Sequence, residues 1–247
     1  MTNGLIGNPI PLISSKTGFP KPIPLGVIRV VSRAIRHAWD LIEQDPLTHL
    51  VAPAPGAPHE DRYTDAICNI LDQMLAMDMP PVAGFTSEYF SCVSRSESIV
   101  NYNGSHLNKQ PDLIIRMADN PLVEARRLVG VFVESKVVSM SQAVTKYTSE
   151  GLIRFVRGDY GWTMQASIML AYQRVRHRPL ASLKQQLANE TQLVCQPHSG
   201  EFFLTKPEFY PLTGFSTHNR NWHYISGEKP GPIQVWHMWD LAIPEGS

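Results

Sequence analysis

The sequence predicts a mixed α/β fold of the α+β kind, a mixed β-sheet flanked by α-helices. Three observations carry this. Apolar residues recur at helical spacing over residues 26–43 and again over 59–78, and two short apolar runs with strand character stand close together at 110–117 and 128–138. A chain of 247 residues with 43% apolar composition is long enough to build a full core without staples.

The elements follow in order. Five prolines within residues 1–25 predict an irregular, extended arm that wraps or caps the body. From Gly26 to about Glu43, Val27, Val31, Ala34, Ile35, Ala38 and Ile42 form the apolar face of a helix, and Arg29, Arg33 and Arg36 form a basic stripe read as a solvated face. The linker APAPGAP precedes HEDRYTDAICNILDQMLAMD, in which Tyr63, Ile67, Ile70, Leu71 and Met74 predict a second helix. Glu60 lies three and four residues from Tyr63 and Thr64, which sets its carboxylate near the inward face. An acid in the first turn also complements the helix dipole.

Residues 85–110 read as one or two strands. A strand QPDLIIRM then opens at Pro111, a polar turn follows near Asp119, Asn120 and Pro121, and a second strand, LVGVFVESKVV, completes the pair. Alternation puts Gly130, Phe132, Glu134, Lys136 and Val138 on one face of that strand and Val131, Val133, Ser135 and Val137 on the other. Residues 140 to about 177 read as helix in two pieces meeting near Gly158, the second holding Met164, Ile168, Met169 and Tyr172. A helix over about 180–190 and a last strand IQVWHMWDL follow.

The chemistry concentrates on the strand pair. Asp112 at the start of one strand, with Glu134 and Lys136 two apart on its neighbour, gives two carboxylates that make a hard oxygen site for magnesium or manganese. Such an ion polarises a phosphodiester and acidifies its bound water. Lys136 is then placed to orient that water and offset charge at phosphorus, and the backbone carbonyl of Ser135 offers a further ligand. The competing reading is a Glu134–Lys136 ion pair on a sheet face with Asp112 as a turn residue.

Pro111 and Asp112 followed by Glu134, Ser135 and Lys136 resemble the PD-(D/E)xK signature of the restriction-endonuclease-like nuclease superfamily, over about residues 59–178. The resemblance implies a metal-dependent endonuclease acting on DNA, with acid and ExK on a β-hairpin at one edge of a mixed sheet. It implies Asp112, Glu134 and Lys136 as catalytic residues and Glu60 as an additional catalytic or metal-binding acid from the preceding helix. Tyr160, Gln165 and Tyr172 resemble polar residues that the family's later helices turn toward the site. The segment STHNRNWH with the strand ending HMWDL resembles nuclease-like proteins of bacterial antiviral defence, which implies restraint by a regulatory ATPase, another defence protein or homo-oligomerisation. Residues 1–58 then form an arm and helix, and 59–247 a nuclease-like domain whose C-terminal extension packs on the core.

Charge supports a polyanionic partner locally. Lys plus Arg (22) balance Asp plus Glu (22) overall, yet Lys109 to Arg178 carry eleven basic and six acidic residues, so this segment is +5 and the remainder −5. Arg154, Arg157 and Lys146, with Arg126, Arg127, Arg174 and Arg176, are the candidate phosphate contacts. A non-catalytic nucleic-acid-binding or scaffolding subunit, or a hydrolase of RNA or nucleotides, is the alternative. His218, Arg220, His223 and His237 lack metal-site spacing, and His237 reads as a hydrogen-bonded core histidine; Trp222, Trp236 and Trp239 read as core. Cys68, Cys92 and Cys195 show no CxxC spacing, and no apolar run approaches a membrane span, which together predict a soluble cytoplasmic protein with no membrane partner.

Overall fold

The computed structural model describes residues 19–52, 59–118, 128–139, 144–174, 179–190, 193 and 202–243. Helix α1 (Leu25–Gln44), a short α2 (Pro46–His49) and α3 (His59–Leu75) precede β1 (Phe90–Arg95), β2 (Leu113–Met117) and β3 (Val131–Val138). After β3 come α4 (Val144–Lys146), a π-helical turn (Tyr147–Leu152), α5 (Ile153–Arg157), β4 (Ala166–Gln173), α6 (Ala181–Asn189), β5 (Gly214–His218) and β6 (Ile233–Ala242). The six strands form one sheet in the order β1-β2-β3-β4-β6-β5. Neighbours are antiparallel through β1, β2 and β3, parallel from β3 to β4 to β6, and antiparallel again between β6 and β5. The sheet is therefore mixed and flanked by helices, and the β2–β3 pair lies one strand in from the edge because β1 pairs with the outer side of β2.

Two cores sandwich the sheet. On one face Ile28, Val31, Ile35 and Trp39 of α1 meet Ile67, Leu71 and Met74 of α3 over Val131, Val133 and Val137 of β3. Trp39 stacks on Tyr172 of β4 at 5.1 Å between ring centroids, so α1 belongs to the same core as the strands. On the other face Phe132 and Val138 pack with Tyr147, Phe155, Tyr160, Trp222 and Trp239. The arm is anchored where it is described: Lys21 pairs backbone to backbone with Thr163 and Gln165, and Phe19 packs edge-on against Trp162. No helix among the described residues is long and apolar enough to cross a membrane.

The predicted helix over 164–172 is instead β4. Its sequence ASIMLAYQ is buried at every position. A parallel strand covered on both faces reads as an unbroken apolar run, which lacks the alternation that marks a half-exposed strand and fits a helix equally well. Residues 85–110 form one strand, β1, and a single bridge from Ile99 to Lys109. β5, which the sequence did not announce, pairs with β6, so residues 214–242 build part of the sheet. The turn at 119–121 lies outside the described residues, as do Arg126, Arg127, Arg176 and Cys195.

Gly158 ends α5 in the left-handed region (φ +74), where an L side chain is strained. A Cβ there would stand 2.8 Å from Tyr102 and 2.9 Å from Trp222, two rings stacked 4.2 Å apart. Gly158→Ala is expected to destabilise the protein by about 2–4 kcal/mol, backbone strain and overpacking acting together. Urea unfolding checks this, and a loss below about 0.5 kcal/mol, the range of an ordinary surface change, would count against it.

Candidate functional site

The site forms where α3, the start of β2, the end of β3 and the π-helical turn meet. Asp112, immediately before β2, accepts two hydrogen bonds on Oδ2 from Ser135, one from its backbone N–H at 2.7 Å and one from its hydroxyl at 2.6 Å. The Ser135 hydroxyl lies 3.0 Å from that of Thr64 on α3, and Thr64 lies 3.0 Å from the hydroxyl of Tyr172 on β4. This chain of hydroxyls ties helix to sheet and sets the depth of α3. Glu60, one turn before Thr64, is thereby carried to the end of β3, where its Oε2 accepts from the Val137 N–H at 3.3 Å.

On the other face of β3, Glu134 is fully buried and Lys136 only 7% exposed. A buried ion is stable only when paired and hydrogen-bonded. Glu134 Oε1 is paired with Lys136 Nζ at 3.0 Å and Arg154 Nη1 at 3.0 Å, and Oε2 accepts from the Tyr160 hydroxyl. Burial pushes the Glu134 carboxyl up to about 7, with Asp112 adding to the rise and Lys136, Arg154 and Tyr160 opposing it. Burial alone would lower Lys136, but the carboxylates of Glu134, Asp112 and Glu60 outweigh it and hold its ammonium above the usual lysine value.

The Lys136 ammonium has three oxygen partners: the Ser135 carbonyl at 2.8 Å, Glu134 Oε1 at 3.0 Å and Glu60 Oε1 at 3.2 Å. These are three of the four donors that the sequence nominates for a metal, the fourth being Asp112. Hard oxygens gathered on a cation are the donor chemistry that magnesium or manganese requires; the cation they hold here is the Lys136 ammonium. Among the described residues, no three His, Cys, Asp or Glu side chains are themselves grouped so as to hold a metal. Asp112 is turned toward Ser135, and Lys136 separates Glu60 from Glu134.

The predicted nucleic-acid contacts divide. Arg154 reaches Glu134 and keeps its side chain 38% exposed, while Lys146 and Arg157 lie on the surface at either end of the helical stretch. Tyr160 is fully buried with its hydroxyl on Glu134, so it cannot touch a nucleic acid and instead holds the acid in place. Gln165 is exposed but opens β4, where its backbone pairs with Lys21 and Gln234, whereas Glu134 stands level with Met169, four residues further along. Tyr172 belongs to β4 rather than to a helix and acts through Thr64. Gly151 escaped the sequence reading altogether. It sits in the π-helical turn, where a Cβ would stand 3.3 Å from Lys136 Cγ and 3.5 Å from Glu134 Cγ, so the turn packs directly on both residues. The sequence signal for Thr64 was its spacing of four from Glu60; for Gly151 there was none.

Two clefts, of about 710 and 670 Å³, lie elsewhere, one beside Arg36, Tyr210 and Asp240 and the other beside Val27, Gly84 and Tyr89. Trp222, Trp236 and Trp239 are buried. His237 is a core histidine, bonded through Nδ1 to the Tyr147 hydroxyl at 2.9 Å and through Nε2 to the Ser216 hydroxyl at 2.9 Å. Burial, with His218 adding to it, lowers its pKa to about 3. The unfolded chain therefore binds this proton below the ordinary value of about 6.5 while the folded chain refuses it until about pH 3. Stability is expected to fall by about 1.4 kcal/mol per pH unit from this group as pH drops through that window. Urea midpoints measured from pH 7 to pH 4 check it, and His237→Gln should show the shallower pH dependence; equal slopes would remove His237 as the cause.

Comparisons with protein-family models, with curated proteins and with solved structures find no match to this chain.

Proposed function

We propose that the protein is a magnesium-dependent nuclease that hydrolyses DNA phosphodiester bonds, with the restriction-endonuclease-like site of the PD-(D/E)xK superfamily and a role as a bacterial defence effector. The observation that supports this reading is the convergence of Glu60, Glu134 and the Ser135 carbonyl on one cation position, with Asp112 fixed beside it by Ser135. Asp112, Glu134, Glu60 and the Ser135 carbonyl would hold the ion. Magnesium, when bound, polarises the phosphodiester and acidifies a coordinated water. Lys136 then orients the attacking water and offsets the charge that develops at phosphorus. Arg154, half in solvent beside Glu134, is placed to meet a phosphate oxygen.

Incubation of plasmid and linear DNA with and without magnesium tests the reading. Cleavage that requires magnesium or manganese is expected. Salt-sensitive DNA binding with no cleavage under either metal would select the non-catalytic subunit, and competition by nucleotides or RNA alone would select the other hydrolase.

A further inference from the structure

We infer that Lys136 is an internal competitor for the metal: its ammonium holds the position on which the site's oxygens converge, and a divalent cation enters by exchange with it. This rests on the nuclease reading above and adds to it how the site is kept closed.

The argument starts from the three contacts of the ammonium, with the Ser135 carbonyl, Glu134 and Glu60. A metal and an ammonium cannot occupy the same position among those oxygens, since two like charges at contact distance repel. Nor can the ammonium simply leave. Glu134 is fully buried and divides its charge between Lys136 and Arg154, so loss of the ammonium takes away one of the two cations that balance a buried carboxylate, which is unfavourable unless another replaces it. Entry of one cation and departure of the other are therefore coupled. Arg154 and Tyr160 hold Glu134 in place throughout from their own side.

The exit is on the Glu60 side. The Glu60 side chain is 27% exposed, against none for Glu134, so solvent reaches the cluster past Glu60. The lysine stem is a flexible chain of four methylenes and can swing its head group toward that opening without moving β3. An ammonium tied to three acceptors is unavailable to orient a water, so the same exchange that admits the ion frees the lysine for chemistry. The metal-free protein is held inactive in two ways by one residue.

Two measurements on the full chain test this, neither of them a cleavage assay. Manganese titration calorimetry compares the wild type with Lys136→Gln and Lys136→Met. Loss of the resident charge should tighten manganese binding about tenfold or more, the effect of removing a like charge at contact distance. Nitrogen-15 NMR of the lysine ammonium groups follows Lys136 directly, with the variants identifying its resonance. That resonance should be protected from exchange without metal and lost at saturating magnesium. Should Lys136→Met fail to fold, Lys136→Gln retains an amide that can donate to Ser135 or Glu60, and the wild-type NMR measurement needs no variant. Manganese binding that is equal or weaker in the variants, or an ammonium resonance unmoved by bound magnesium, overturns the exchange while leaving the nuclease reading intact. Absence of manganese binding in every protein overturns both.

Discussion

Glu134→Gln is expected to abolish magnesium-dependent DNA cleavage, a fall on the order of 10²- to 10³-fold or more, the scale seen when one charge-stabilising group is removed from an active site. Its melting temperature should stay within a few degrees of the wild type. The reason lies in the hydrogen bonds: the amide oxygen still accepts from Lys136 and Arg154, and the amide N–H can donate to the Tyr160 oxygen. Glu134→Ala should behave differently. It leaves a fully buried tyrosine hydroxyl and a half-buried guanidinium without their acceptor and strands part of the charge on Lys136, at a cost of about 3–5 kcal/mol. For a chain of this length that corresponds to a fall of roughly 10 °C. Plasmid cleavage and calorimetric melting on both variants separate the two roles. Cleavage by Glu134→Gln within tenfold of wild type would show that the acid is no ligand, and an unchanged melting temperature in Glu134→Ala would show that the cluster contributes nothing to the fold.

Arg220→Ala should destabilise the protein by about 3–5 kcal/mol, the cost of leaving several carbonyl oxygens without the charged donor that satisfies them. Arg220 is 5% exposed and donates to four carbonyl oxygens, those of Pro230, Gly231, Met164 and Trp162, at 2.9, 3.0, 3.1 and 3.3 Å. Burial lowers its guanidinium to about 10, still charged at neutral pH. The fork of the guanidinium clamps the loop before β6 onto the loop before β4, two segments more than fifty residues apart. Lysine carries the charge but not the fork, so Arg220→Lys should recover less than half of the loss. Urea unfolding of the two variants checks this, and full recovery by lysine would mean that charge alone matters.

Much of the architecture is legible in local pattern. The apolar spacing of α1 and α3 encodes a helix face turned to the core, and the valine-rich run of β3 and the apolar run of β6 mark strands that are largely buried on both sides. β4 is illegible for a definite reason: with both faces covered it has no polar phase against which a period can be read. β5 is short, and its sequence GFSTH has a burial pattern set by β6 and the loops above it.

The candidate site divides the same way. Sequence alone nominates Asp112, Glu134, Lys136 and Glu60 and, through the period of two, puts Glu134 and Lys136 on one face. It also makes charges within apolar strands conspicuous, because a carboxylate there requires a partner. Tertiary structure decides the partners. That Glu134 is held by Tyr160 and Arg154, that Asp112 is turned onto Ser135, and that Lys136 rather than open space lies between Glu60 and Glu134 all depend on contacts between residues 20 to 76 positions apart. Separations of that size carry no periodic trace in the chain. They exist only once α3, β2, β3 and the π-helical turn have packed, and packing is the step that turns four nominated residues into one charged cluster.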